Sequence, residues 1–137
     1  MNCVADRTFQ IIPQVILEIT TRLCVMKIFC GAFPLLPGKT EAGREFAKAC
    51  MGPRRAEFAE ALKRHGVTKE SWFLQKTPQG DMMIVHFEAE DTEKAFETIA
   101  KSKDTFMVWF KQQVKSVTGV DLEQPSDEPP PEEIVHM

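Results

Sequence analysis

The tetrapeptide Thr77-Pro78-Gln79-Gly80 separates two runs of alternating residues, Glu70–Lys76 and Asp81–Glu88, and nowhere else does the chain have so few backbone choices. Proline at the second turn position presets φ, and glycine at the fourth accepts a positive φ, so the tetrapeptide fits a type I turn. The flanking runs hold Trp72, Phe73, Leu74, Met82, Met83, Ile84 and Val85, which suit a pleated surface. A β-hairpin follows. Two registers are open to it. With a plain four-residue turn His86 faces Ser71; with a glycine bulge at Gly80 it moves beside Trp72.

The sequence before the hairpin reads as strand then helix. Met26, Ile28, Cys30 and Ala32 alternate with Phe29, Gly31 and Phe33, so both faces of Met26–Phe33 are apolar, as expected of a central strand covered on both sides. Pro34 and Pro37-Gly38 end it. Thr40 is placed to cap the next helix, with Glu41 in its first turn. The helical pattern runs to about Arg64 and is closed by His65-Gly66, while Gly52-Pro53 inside it predicts a kink or two segments. After the hairpin, Asp91 caps an amphipathic helix with Ala95, Phe96, Ile99 and Ala100 inward. Beyond Ser102-Lys103-Asp104, a last helix aligns Phe106, Phe110, Val114 and Val117 and stops at Gly119.

The 137 residues allow one domain, and the ends differ from the middle. Residues 1–25 form an N-terminal extension in which Ile16, Leu17, Thr20, Leu23 and Cys24 predict a short helix over Gln14–Leu23. Without a basic start and a cleavage site the segment is a poor signal peptide, and Met26 is expected to open the functional domain. Residues 26–118 form the α+β domain. Residues 119–137 carry six acids and no base, and Pro129–Pro131 favour extended geometry there; Glu133–His136 is a candidate edge strand.

Composition excludes several chemistries. Basic residues are interleaved with acids, which argues against a nucleic-acid partner, and no apolar run is long enough to span a membrane. There is no tyrosine, so no mechanism can use a phenol of this chain. Cys3, Cys24, Cys30 and Cys50 form no C-x-x-C pair, and His65, His86 and His136 lie at no metal-ligand spacing. No metal or cofactor is expected. Free thiols without a secretory signal fit a cytoplasmic location.

Helices on one face of three or four strands leave the other face bare. Phe29, Phe33, Trp72, Phe73, Met82 and Met83 supply its large apolar groups, and a two-fold partner is the expected cover. Pro37-Gly38-Lys39, Gly52-Pro53-Arg54-Arg55, Leu74-Gln75-Lys76-Thr77-Pro78-Gln79-Gly80-Asp81 and Trp109-Phe110 carry a further signal. Over residues 26–137 the chain resembles a set of small bacterial proteins in the dimeric α/β-barrel superfamily, which includes antibiotic-biosynthesis-monooxygenase-like and stress-responsive barrel domains. The resemblance implies a ferredoxin-like βαββα(α)β unit with an antiparallel sheet, paired as a homodimer. Those proteins carry a histidine before the glycine closing the last helix; Thr118 stands there in this chain.

Six residues are candidates for a site. His86 is a general base or haem ligand on an internal sheet face, or a histidine satisfied by backbone. Gln75 orients a ligand or steadies the hairpin. Trp72 and Trp109 form an aromatic wall for a flat ligand, or pack in the core. Arg54 and Arg55 bind an anion by forked hydrogen bonds, or pair with Glu57 and the acidic tail. His65 reads as a helix C-terminal residue, and Cys30 and Cys50 as buried packing residues. The leading expectation is a homodimer enclosing an apolar pocket for a small apolar or aromatic ligand in each subunit. The alternative is a cofactor-independent monooxygenase on an aromatic substrate, with His86 taking the proton and Gln75 holding an oxygen; a weaker one is haem binding or degradation.

Overall fold

The computed structural model describes residues 25–137; the helix expected over Gln14–Leu23 lies outside the described residues. The elements are β1 (Lys27–Pro34), α1 (Thr40–Met51), α2 (Arg55–Arg64), β2 (Val67–Thr77), β3 (Gly80–Ala89), α3 (Thr92–Lys101) and α4 (Thr105–Thr118). Among the described residues this is an α+β arrangement of four helices and one antiparallel sheet, in the order β1-β3-β2.

The hairpin forms with the plain turn. Thr77 pairs with Gly80 across a loop of Pro78 and Gln79, and Gly80 has φ +131°. The Thr77 hydroxyl donates to Gly80 O at 2.6 Å and accepts from Gln79 N at 3.2 Å, which fixes the loop. His86 therefore faces Ser71 on one side and Cys30 on the other.

β1 is an edge strand, not the central one expected from its apolar faces, because β3 pairs with both neighbours. One face of β1 packs on helices and the other lies open. Phe29 rests against Phe96 of α3 with ring centroids 4.8 Å apart, whereas Cys30 and Ala32 are exposed. Gly31 makes room for that packing, since a Cβ there would sit 2.6 Å from the Phe29 ring.

The helical stretch after β1 breaks at Gly52-Pro53 into α1 and α2. Thr40 does not cap α1: the helix begins at Thr40, and its hydroxyl donates instead to Asp81 Oδ2 at 2.6 Å, tying the helix start to the hairpin. Asp91 and Asp104 cap α3 and α4 by accepting from Lys94 N at 3.0 Å and Met107 N at 3.2 Å. Gly119, at φ +78°, ends α4. Lys111 is buried on α4; its ammonium donates to Ala100 O at 3.0 Å and Ser102 O at 2.9 Å and is paired with Glu123 Oε1 at 3.0 Å. Two carbonyls and a counter-charge are what let a charge stay buried.

The core has two clusters. Phe46, Cys50, Ala61, Met83, Phe106 and Phe110 form the larger, with Phe46 and Phe110 edge to face at 5.2 Å. Val67, Phe87, Ala89 and Ala95 form the smaller, joined by Phe29 and Phe96. No strand forms at Glu133–His136, where Ile134 and Val135 are exposed, so the sheet has three strands among the described residues. No helix of the described residues is long and apolar enough to cross a membrane.

Candidate functional site

The register sorts side chains onto two faces. Phe29, Gly31 and Phe33 of β1, Met83, Val85 and Phe87 of β3, and Glu70, Trp72 and Leu74 of β2 align on the face that meets the helices. Ile28, Cys30 and Ala32, Met82, Ile84 and His86, and Ser71, Phe73 and Gln75 align on the other. Four residues expected on the bare face, Phe29, Phe33, Trp72 and Met83, thus turn inward; Phe73 and Met82 remain outside, and Phe73 is 58% exposed. Hydrophobicity alone could not separate Trp72 from Phe73, since both neighbours are large and aromatic.

Between the inner face and the helices lies a cavity of about 90 Å³, bordered by both core clusters. Its wall is almost entirely hydrocarbon, with Phe29, Phe46, Phe58, Trp72, Phe96 and Phe110 among the rings. Three polar side chains reach it, Glu70, His65 and Thr118, and the Thr118 hydroxyl is already engaged, donating to Val114 O at 2.7 Å and accepting from Val120 N at 3.1 Å. The space is too small for a macrocycle: an engineered apolar cavity that takes benzene measures roughly 150 Å³.

Glu70 is held there by strand alternation, which puts it on the face of Trp72 and Leu74. Its Oε1 accepts from Trp72 Nε1 at 2.6 Å, its one hydrogen bond among the described residues. Burial pushes the carboxyl up to about 7, and the indole hydrogen bond opposes the rise. Cys50 lies close enough to feel that charge. Burial first, and the Glu70 carboxylate second, push its thiol up to about 12, so it stays neutral and inert.

His65 follows α2 as its C-terminal cap, and its side chain turns in toward α3. Nδ1 lies 2.9 Å from Thr98 Oγ1, and that hydroxyl donates its one proton to Ala95 O at 3.0 Å. Nδ1 must then be the donor to Thr98, which leaves Nε2 as a bare acceptor. Nε2 is buried with no hydrogen-bond partner. Burial, and then the Arg64 charge, lower the pKa and keep the ring neutral.

The other candidates lie elsewhere. His86 and Gln75 share the outer face, and Gln75 is exposed with its amide donating to Lys76 O at 3.1 Å. Trp109 packs 5.5 Å from Phe46 and does not border the cavity. Arg54 grips Glu57 with two prongs, at 3.0 and 3.1 Å, and its guanidinium lies 4.1 Å from the Trp109 ring centroid. Arg55 is exposed at the start of α2. Cys50 is buried as expected, but Cys30 is exposed because it sits on the open face of an edge strand. The structure thus brings Trp72 to the cavity and sets His86, Gln75, Trp109, Arg54 and Arg55 apart from it.

Neither Glu70 nor His65 stands out in the sequence. The period of two did place Glu70 with Trp72, but a carboxylate at the start of a strand reads as solvated. His65 reads as a helix end until α3 folds against it.

A protein-family model matches residues 26–126; the family, DUF6176, is described as one of unknown function. No curated protein matches the chain.

Proposed function

The chain belongs to the DUF6176 family, and from that premise we propose that it is a small-molecule-binding module whose ligand occupies the cavity between sheet and helices. The observation that supports this is an apolar space, walled by aromatic rings, with a carboxyl and an imidazole at its border and spare hydrogen-bonding capacity on both. Binding sites are commonly mostly apolar with a few oriented polar groups. The module works as a cytoplasmic homodimer. Its outer sheet face carries Ile28, Ala32, Phe73, Met82 and Ile84, and a second copy packed there hides them with the same surface used twice. The strand order and the resemblance to dimeric α/β barrels support a ferredoxin-like unit of that kind. Native mass spectrometry tests both parts together: a dimer retaining a small molecule is expected, and a bare monomer removes the reading. Phe73→Lys should convert the dimer to monomers in sedimentation velocity without loss of helical signal.

A second reading, cofactor-independent oxygenation of a small aromatic substrate, is favoured by one observation. A carboxyl poised near 7 in an apolar chamber is suited to accept a substrate proton. On this reading Glu70 takes the role assigned to His86 in the sequence, since His86 faces away from the chamber. Oxygen uptake with phenolic substrates, abolished in Glu70→Gln, is the result it requires.

A further inference from the structure

The cavity specifies its ligand by what its border lacks. We infer that the cavity selects a small molecule that is apolar over most of its surface, carries a hydrogen-bond donor, and bears no negative charge: a short alcohol or amine. This rests on the cavity being the binding site and names the class of molecule it takes.

Glu70 uses one oxygen on Trp72 Nε1 and makes no other hydrogen bond among the described residues. His65 Nε2 is a buried acceptor with no partner, its role fixed by the Nδ1–Thr98–Ala95 relay. Leaving such groups unmade is costly, so a ligand that donates to either recovers a full hydrogen bond rather than the small net gain of an exchange with water. The wall's donors are already taken: the Trp72 indole proton by Glu70 at 2.6 Å and the Thr118 hydroxyl proton by Val114 O at 2.7 Å. A cationic amine gains further, from the carboxylate and from the faces of the surrounding rings.

An anion finds no counter-charge. No lysine or arginine borders the cavity. The cations around it are committed elsewhere: Arg54 is paired with Glu57 and stacked on Trp109, Arg64 is paired with Asp104 at 3.4 Å, and the Lys111 ammonium is bonded to two carbonyls and paired with Glu123. A carboxylate ligand would meet Glu70 in a space with little water to screen it. The volume is below that of a cavity that takes benzene and fits a molecule of a few heavy atoms, so the donor and the apolar body must belong to one compact molecule.

The test uses four small probes on the full chain: xenon, ethanol, ethylamine and acetate, followed by amide chemical-shift titration. Xenon should bind weakly. Ethanol and ethylamine should bind about tenfold tighter or better, the gain expected of a hydrogen bond to a charged or unpaired group. Acetate should not bind. Glu70→Gln should remove about tenfold from the ethylamine affinity and leave xenon within about twofold. Glu70→Leu is the companion variant, because it deletes the carboxyl without burying an amide. Xenon binding as tightly as ethanol and ethylamine would overturn the inference while the cavity stands as a binding site; so would acetate binding most tightly. If no probe binds, the binding reading falls and the inference with it.

Discussion

The two faces of the one sheet are built from similar residues and do opposite things. On the inner face Phe29, Phe33, Trp72, Met83, Val85 and Phe87 meet helices and enclose a space; on the outer face Ile28, Ala32, Phe73, Met82 and Ile84 join neither core cluster. The inner face also holds Glu70 amid apolar neighbours, and its titration is displaced upward because helices there withhold water from the charged form. Burial, and not the kind of residue, separates a chemical group from a surface group here.

That contrast can be broken most forcefully at Phe87, which is 4% exposed beneath α3. Phe87→Ala should cost about 3–5 kcal/mol in urea unfolding, the usual loss for a buried ring. Phe73→Ala on the adjoining strand should cost a protomer less than about 0.5 kcal/mol, because the ring is already in water. Equal losses would mean that the faces are equally covered.

Glu70 sharpens the comparison through pH. Its carboxyl titrates at about 7 when folded and 4.5 when unfolded, so the folded state favours the proton. The associated stabilisation is complete below 4.5 and is lost as pH rises through 7. The wild type should therefore lose roughly 3 kcal/mol relative to Glu70→Gln between pH 4 and pH 8. His65 acts with the opposite sign: its lowered value withdraws stability as pH falls below 6.5, and the Glu70→Gln difference cancels that common contribution. A flat difference across the range would place Glu70 in water.

The cysteines give the smallest effects and the cleanest pair. Cys50 is 1% exposed, and Cys50→Ser should cost about 1–3 kcal/mol by burying a hydroxyl. Cys30→Ser, opposite His86 on the outer face, should stay within about 0.5 kcal/mol in a protomer. Guanidinium melts of the two variants side by side settle the order.

What the sequence made legible was local. Pro78 and Gly80 dictate a turn whatever surrounds them, and Gly52-Pro53 breaks a helix on its own account. The place of β1 in the sheet was not legible, because apolar residues on both faces are compatible with a centre or with an edge awaiting cover. Nor was the interior site. Glu70 and His65 acquire their character from all four helices closing over them, which no spacing of residues encodes. His86 drew notice as the lone histidine of the hairpin, and the plain turn then aimed it outward.

The open side of β1 has one more consequence, for the backbone rather than its side chains. From Ile28 to Phe33 the strand holds no charge, with Lys27 and Pro34 at its limits, while the opposite border, β2, carries Lys69 and Lys76. Lysines along a border discourage a stray chain from adding itself, and so do prolines. Among the described residues the sheet is therefore guarded on one flank and inviting on the other, and a cross-chain ladder that grows at high concentration should start along those six residues.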